Sequence, residues 1–402
     1  MTPEALGRLE ALLTVGLGLA RKAPSGRLLL ARVADSIELD WIPRPWGDEL
    51  AAELASAYEQ AREPLDQPTV ERILRDAWDA PAGDELDDLE LDPVAVTPGA
   101  QVHRASLDGE PVAVKVLRPG LAGSVRQDLG LLEMLSAPLG AAFPSVDPAA
   151  ATREFRERVL EELDLEHEST VQRRFHRALR SHPFLSVPAP VTRLCHENVL
   201  VSAWADGAPL WEAPDPDQAA ARLIVFALGA AATGVIHADL HPDNVLVGPN
   251  GALTILDFGA TRSVDRERAA SSARVLDSLA GRDGGALGDA MAALGWIAPE
   301  HGAAALELAL HSLGELGAPD ASDATRLDTA AVIAARDRAL QRPDLIGELL
   351  QAGSPPPEDL WPARGFAVVF ATIARIGATG AWWELLRVGL TDGWKAQIAP
   401  EA

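Results

Sequence analysis

The run Ile236-His237-Ala238-Asp239-Leu240-His241-Pro242-Asp243-Asn244 is followed, thirteen residues after Asn244, by Asp257-Phe258-Gly259. Asp, Asn and Asp in this order and spacing suit phosphoryl transfer from ATP. In such sites the first Asp faces the acceptor hydroxyl, while the Asn and the second Asp hold magnesium over the phosphates. Asp239 is therefore the candidate that orients or deprotonates the acceptor, and Asn244 and Asp257 are the candidate metal ligands. Asp-Phe-Gly alone is a plain turn sequence; its distance from Asn244 gives it weight. His237 and His241 stand at the spacing of a zinc pair on a helix. Pro242 argues against a helix there, so His237 is assigned to anchoring the loop.

Lys115 ends the apolar run Val112-Ala113-Val114-Lys115. A lysine buried in a strand costs free energy unless it is paired. The bland reading is an edge-strand lysine whose ammonium reaches water; with the downstream motifs, a phosphate-binding lysine is favoured. Downstream, Glu161-Glu162-Leu163-Asp164 lies in a sequence that reads as one long helix from Ala149 to about Leu179. Glu162 is expected to pair with Lys115, and Asp164 to lie near the metal.

These residues need strands and a loop to hold them. Val94–Val96, Gln101–Leu107 and Pro111–Val116 alternate with a period of two, and Pro98-Gly99 and Asp108-Gly109 supply the turns. Val187–Leu194 and Val199–Trp204 read as two more strands, and Val245–Val247 with Leu253–Leu256 as a hairpin around Asn250-Gly251. Helical spacing is read over residues 1–80, including Leu6 to Leu17 and Leu50–Ala61, over Val125–Ala137, and over Gln218–Thr233. The acidic run 84–92 reads as a solvated connector. Beyond residue 264 the chain reads as helices broken at Gly284-Gly285 and at Ser354-Pro355-Pro356-Pro357. The expected units are a helical extension (1–90), a small lobe with inserted helices (91–205), a catalytic part of a second lobe (206–280) and a helical C-terminal region (281–402).

Composition narrows the partners. The 402 residues carry 35 basic against 59 acidic groups, a formal charge of −24. That disfavours nucleic acid, whose binding begins with neutralising phosphates, and weakens any attraction to anionic lipid. The one cysteine, Cys195, excludes an internal disulfide and a cysteine metal cluster, and is read as a buried apolar residue. Leu223–Ile236 is too short to span a bilayer, and Phe366–Trp383 carries Arg375 and is read as a buried helix. No secretory signal is visible, and the expected location is cytoplasmic, with peripheral membrane contact and oligomeric state left open.

Neither G-x-x-x-x-G-K-[ST] nor G-x-G-x-x-G occurs. The first strand turn, Thr97-Pro98-Gly99-Ala100, has a single glycine with which to approach phosphates. Helical sequence resumes by about Asp265, which leaves little room for a peptide-docking segment after Gly259. A small or lipid-like acceptor, or plain ATP hydrolysis, fits better.

The chain resembles the UbiB/AarF/ADCK family of atypical protein-kinase-like proteins over roughly residues 90–300. The resemblance rests on Gln101-Val102-His103-Arg104-Ala105, Val112–Val116 with Arg118-Pro119-Gly120, Arg126-Gln127-Asp128-Leu129, Glu162-Leu163-Asp164 and the 237–244 loop. It implies an α+β, two-lobed protein-kinase-like fold with helical N- and C-terminal extensions. It also implies an ATP and Mg2+ site, a glutamate of the ExD motif paired with the strand lysine, and a link to isoprenoid-quinone or lipid metabolism. Lys115, Ala113, Gly99, Ala203 and Asp164 are then the cofactor-binding candidates, with adenine against Ser202-Ala203-Trp204. Two departures stand out. Val94–Ala100 replaces the family's alanine-rich loop, and its KxGQ motif has no counterpart; the nearest alignment falls on Leu30–Val33. The loop with Leu240 is also similar to that of aminoglycoside and choline kinases. A small-molecule phosphotransferase of that type and a nucleotide-gated scaffold protein therefore remain alternatives.

Overall fold

The structure is a computed structural model that describes residues 61–121, 148–317 and 324–395, together with Ala52, residues 55–59 and Gly123. The helical patterns at Leu6–Leu17 and Val125–Ala137, the segment Leu30–Val33, the string Arg126–Leu129 and part of Leu50–Ala61 lie outside the described residues.

The small lobe is built on a five-stranded antiparallel sheet. It contains β1 (Asp88–Leu89), β2 (Ala95–Val96), β3 (Ala100–Leu107), β4 (Glu110–Leu117) and, beyond the two-residue β5 (Leu185–Ser186), β6 (Val199–Ala203). The order is β1–β3–β4–β6, with β2 also on β3. Alternation decides which face each residue takes. Val112, Val114 and Val116 turn inward with Val199 and Val201, and Lys115 lies on the opposite face, towards the cleft. Asp108 and Gly109 close the β3–β4 hairpin, both with positive φ, as a tight two-residue turn demands.

Helix α1 (Gln67–Trp78) is capped by Asp66, carries Pro68 in its first turn, and buries Val70, Ile73 and Leu74 in the same core. The indole of Trp78 donates to the Leu194 carbonyl at 3.0 Å. The acidic run after it is not a solvated connector throughout. It folds into the short helix α2 (Ala82–Glu85) and edge strand β1, because Leu86 and Leu89 find the lobe's core while the carboxylates face out. The expected strand at 187–194 also fails to form. Pro188 and Pro190 have no N–H to give a ladder, and the segment makes an isolated bridge from Pro190 to Ser202 and a 3-10 turn at Thr192–Leu194. Cys195 beyond it is buried, as expected.

The helical link between lobes is two helices rather than one. Helix α3 (Pro148–Glu161) stops at Glu161, and α4 (Leu165–Leu179) starts afresh with Asp164 as its N-cap, accepting from the His167 N–H at 2.9 Å. Glu166 and Glu168 fill the first turn of α4, where negative charge suits the helix dipole.

The larger lobe is organised around α5 (Pro216–Ala232), an apolar helix buried along most of its length and capped by Asp215. Against it lie β7 (Ala208–Pro209), β8 (Val235–His237), β9 (Val245–Val247), β10 (Leu253–Ile255) and β11 (Thr261–Ser263). β9 and β10 form the expected hairpin, with Val247 opposite Leu253 and Val245 opposite Ile255, and β11 pairs back on β8, opposing Thr261 to His237. Asp265 then caps α6 (Arg266–Gly281). Among the described residues, six more α-helices and one strand pair follow. They are α7 (Gly284–Ala293), α8 (Gly302–Leu313), β12 (Thr325–Arg326), α9 (Thr329–Leu340), α10 (Pro343–Ala352), α11 (Pro357–Ile376), β13 (Thr379–Gly380) and α12 (Trp382–Asp392). The Gly284-Gly285 pair opens α7 instead of breaking a helix; Arg282, at φ 54°, makes the break. Phe366–Trp383 is likewise not one helix, since α11 ends at Gly377 with φ 67°. Among the described residues, no helix is long and apolar enough to cross a membrane.

Candidate active site

The cleft between the lobes brings Gly99, Lys115, Asp239, Asn244, Asp257 and Glu162 around one space of ≈ 120 Å³. Lys115 reaches it from β4. Its ammonium donates to Glu168 Oε1 and Oε2 at 3.1 and 2.9 Å and to Asp257 Oδ2 at 2.9 Å. The glutamate that pairs with Lys115 is thus Glu168, not Glu162. The break at Leu163-Asp164 rotates the chain so that α4, rather than the end of α3, presents a carboxylate to β4. Glu162 still lines the cleft, but Asp164 is spent on capping α4 and lines a different cavity.

Glu168 is 2% exposed and also accepts from the Phe258 N–H at 3.2 Å. Burial, reinforced by the charge of Asp257, pushes its carboxyl up to about 7, against the pull of Lys115. For Lys115, burial opposes the charged form, but the two carboxylates outweigh it and hold the ammonium well above the usual lysine range. Asp257 ends up lowered: burial disfavours its charge, and the ammonium overrides this. One ammonium between two carboxylates leaves a single negative charge uncompensated, and the more deeply buried Glu168 is where a proton settles.

Asp257 adopts φ 54°, a left-handed conformation unusual for a non-glycine residue. It turns the carboxylate towards Lys115 while Oδ1 accepts from the Gly259 N–H at 3.2 Å. Phe258 is fully buried with its ring against Phe175 (5.0 Å between centroids) and His237 (5.1 Å). Because Phe175 and Glu168 share α4, the Asp-Phe-Gly turn and the lysine's partner are fixed by the same helix.

The 237–244 loop is held from inside and from behind. His237 is buried, and burial lowers its pKa and keeps the ring neutral; one ring nitrogen lies 3.3 Å from the Leu256 carbonyl, and the other accepts from the Asp239 N–H at 3.3 Å. That is the anchoring role expected of it. Asn244 Nδ2 donates to the Asp239 carbonyl at 2.9 Å and to Asp239 Oδ2 at 3.3 Å. With its amide nitrogen so engaged, Asn244 keeps its carbonyl oxygen for a metal. An Asn carbonyl and an Asp carboxylate form a hard, oxygen-only pair that suits Mg2+, which takes few protein ligands and completes its shell with phosphate and water. The residues present fit that ion.

Behind the loop runs α11, a contribution absent from the sequence reading. Arg364 donates to the Ala238 carbonyl at 2.5 Å and to Asp239 Oδ1 at 3.0 Å; Thr372 donates to the Leu240 carbonyl at 2.8 Å; Arg375 lies 2.6 Å from His241. Gly365 allows the approach. A Cβ there would stand 3.0 Å from Ala238 Cα and 3.1 Å from Ile236 Cγ2. The Arg364 guanidinium lies 5.2 Å from the centre of the Trp361 ring. The signal was present as Trp361, Arg364, Gly365, Thr372 and Arg375 at helical spacing, but nothing local says what that face meets.

On the roof, Ala113 opposes Ser202 across β4 and β6, and Ala203 opposes Val112. Directly opposed residues share a face, so Ser202 stands beside Ala113 on the cleft side and Ala203 turns towards the lobe's core. Ala203 can meet a nucleotide only through its backbone, and its N–H already donates to Ala189 at 2.8 Å. At the β2–β3 turn, Thr97 Oγ1 accepts from the Ala100 N–H at 3.0 Å, leaving that donor engaged. Tyr58, from the segment before α1, also lines the cleft. Its segment is tied down by Arg62 to the Val96 carbonyl (2.8 Å) and by the Leu65 N–H to Gln101 Oε1 (2.8 Å).

A two-lobed fold with a strand lysine paired to a helix glutamate, over a loop carrying Asp239 and Asn244, defines the kinase-like class. The family model described as the ABC1 atypical kinase-like domain matches residues 58–290, more than half of the chain. The chain belongs to that family. Among curated proteins, it is 25% identical over 287 residues to a protein named probable protein kinase UbiB from Marinobacter nauticus, covering 67% of this chain and 52% of that protein. A protein of the same name from Vibrio cholerae is 28% identical over 200 residues, covering 46% and 37%. The chain thus spans about half the length, or less, of these relatives. Among solved structures, the complex of Rv3197 with erythromycin from Mycobacterium tuberculosis matches with a TM-score of 0.62, 22% identity and 98% coverage of both chains. That likeness establishes the fold.

Proposed function

We propose that this protein is a Mg-ATP-dependent phosphotransferase or ATPase acting on a small or lipid-like acceptor. The observation that carries the reading is the contact of Lys115 with both Glu168 and Asp257, facing Asp239 and Asn244 across the cleft. Lys115 would bind the phosphates, and Asn244 and Asp257 would hold Mg2+, which supplies charge neutralisation at the transferred phosphoryl group. Asp239 would accept the proton of the attacking hydroxyl or water, with Arg364 fixing its orientation. Most of the rate enhancement in such a site comes from positioning and electrostatics. The small acceptor is favoured by the short path from Gly259 to α6, which is committed to β11 and leaves no peptide-docking segment. A role in isoprenoid-quinone or lipid metabolism, in the cytoplasm or at a membrane surface, follows from the family likeness. Magnesium-dependent release of phosphate from ATP tests the proposal: Asp257→Asn should abolish it, and turnover unchanged by that substitution would sink the idea.

A second reading is a nucleotide-gated binding protein with little turnover. It is favoured by Asp239 having both oxygens engaged and by the Ala100 N–H being taken by Thr97. Binding of Mg-ATP without turnover across lipid extracts and hydroxylated acceptors would support it. The erythromycin complex of the structurally similar protein adds macrolides to the acceptors worth testing; phosphate transfer to a macrolide but not to lipid would favour an antibiotic-type kinase.

A further inference from the structure

A cavity of ≈ 730 Å³ lies apart from the nucleotide cleft, enclosed by α3, α4, β11 and the first turns of α6 and α11. The buried cluster Ala238, Ala260 and Trp361 stands between its floor and the catalytic loop. Six carboxylates line it (Glu154, Glu161, Asp164, Asp265, Glu358 and Asp359) against three guanidiniums. Those guanidiniums are already engaged. Arg268 pairs with Asp359, Arg262 lies 3.6 Å from Glu161, and Arg174 points at the Thr233 carbonyl at 3.5 Å. The excess charge is therefore negative, while Trp361, Val171 and Pro362 give the walls apolar area. One polar group in the lining stands out: Thr261 is 5% exposed, and its hydroxyl has no partner.

From this combination we propose a second ligand site that takes an amine-bearing amphiphile. The ammonium would sit among the carboxylates and donate to the Thr261 hydroxyl, and the hydrocarbon body would cover the Trp361 wall. Such a cation is favoured because a partly enclosed surface with one sign of charge focuses its field on a counter-ion, and the apolar body adds burial energy. The site touches the catalytic machinery at two points. Trp361 carries the Arg364 guanidinium that holds Asp239, and Thr170 on the cavity wall is two residues from Glu168. Ligand and nucleotide should therefore alter each other's affinity by the same factor. The proposal concerns binding and stands whether or not the protein turns over ATP.

Calorimetric titration of the full chain with octylamine, octanoate and 1-octanol tests it, since the three probes share a body and differ in head charge. Saturable octylamine binding at least about tenfold tighter than either control is expected. Glu161→Gln and Glu358→Gln should each weaken it by up to about fivefold, the range for partly exposed charges. Thr170→Trp, at an exposed cavity position, should abolish it, and Asp257→Asn in the cleft should leave it intact. Equal binding of all three probes, or octylamine binding unchanged by Thr170→Trp, would overturn the proposal. Should Thr170→Trp not fold, the near-isosteric Thr261→Val serves: it must weaken octylamine while leaving the thermal midpoint close to wild type, and unchanged binding counts against the site.

Discussion

Arg364 holds Asp239: its Nη2 lies 3.0 Å from Oδ1, although 125 residues separate the two in sequence. The ion pair is largely sheltered, with Arg364 16% and Asp239 27% exposed. Its guanidinium also donates to the Ala238 carbonyl, so it fixes the backbone and the side chain of the loop together. A planar fork is preorganised to meet both acceptors at once, whereas an ammonium is a point charge on a flexible stem. Under the proposed function, Arg364→Ala should lower kcat by about 10²-fold, the scale for losing one preorganised electrostatic contact in a catalytic site. Arg364→Lys should recover only part of this, and KM for ATP should change little. Steady-state ATP turnover checks it; equal loss in kcat/KM and in stability would make Arg364 merely structural.

Gly365, the next residue, sets how closely α11 can lie on the loop. A methyl group there would meet Ala238 Cα, Ile236 Cγ2 and the His237 carbonyl, all between 3.0 and 3.3 Å. Two of those atoms are backbone, so they cannot swing aside. Gly365→Ala gains a little helix propensity but overpacks the contact, and the expected net effect is a destabilisation of about 1–3 kcal/mol. Chemical denaturation measures it. Gly347→Ala, on α10 with open space around its Cβ position, is the matched control and should be neutral or stabilising.

What could be read from the chain follows from range. Asp239, Asn244 and Asp257 sit within one loop and hairpin, and Lys115 within one alternating strand, so spacing alone brings them to one mouth. The strands β3 and β4 were legible for the same reason. Glu168 was not, because Glu162 and Glu168 both belong to a charged helical stretch, and the choice between them hangs on the break at Leu163-Asp164. That break had a local sign: an Asp followed by an acidic first turn at Glu166 and Glu168 is an N-terminal signature. The Arg364, Thr372 and Arg375 support was unreadable in a stronger sense. An amphipathic helix shows that one face is used, but its partner is decided only when α11 packs against β8 and the 237–244 loop.

The exchange of Glu162 for Glu168 can be checked by stability as well as by activity. Glu168 is a 2%-exposed carboxylate bonded to Lys115, whose own side chain is 18% exposed. Removing that carboxylate deletes both bonds to Lys115 and leaves the buried Phe258 N–H without its acceptor, at a cost of about 1–3 kcal/mol, although Asp257 still balances the ammonium. Glu168→Ala should therefore destabilise the protein strongly and abolish Mg-nucleotide binding. Glu162→Ala, at a partly exposed cleft position, should cost about 1 kcal/mol or less. Comparable losses for the two variants in urea denaturation would restore Glu162 as the lysine's partner.

The pH dependence of the same cluster has a definite sign. Burial raises Glu168 from its ordinary 4.5 to about 7. A folded state with the higher pKa binds the proton more tightly than the unfolded chain. The stability from this group is therefore complete below about 4.5 and is lost as pH rises through about 7. Asp257 works oppositely: its lowered pKa contributes stability above 3.8 that is lost on acidification through its folded value, below the window of interest. Glu168→Gln resembles the protonated form but cannot titrate. The stability of wild type minus that of Glu168→Gln, from denaturation at matched pH, should fall steadily between pH 5 and about 7 and then level off. A difference that stays flat across this range would mean that Glu168 is already ionised at pH 5, and that Lys115 compensates both carboxylates.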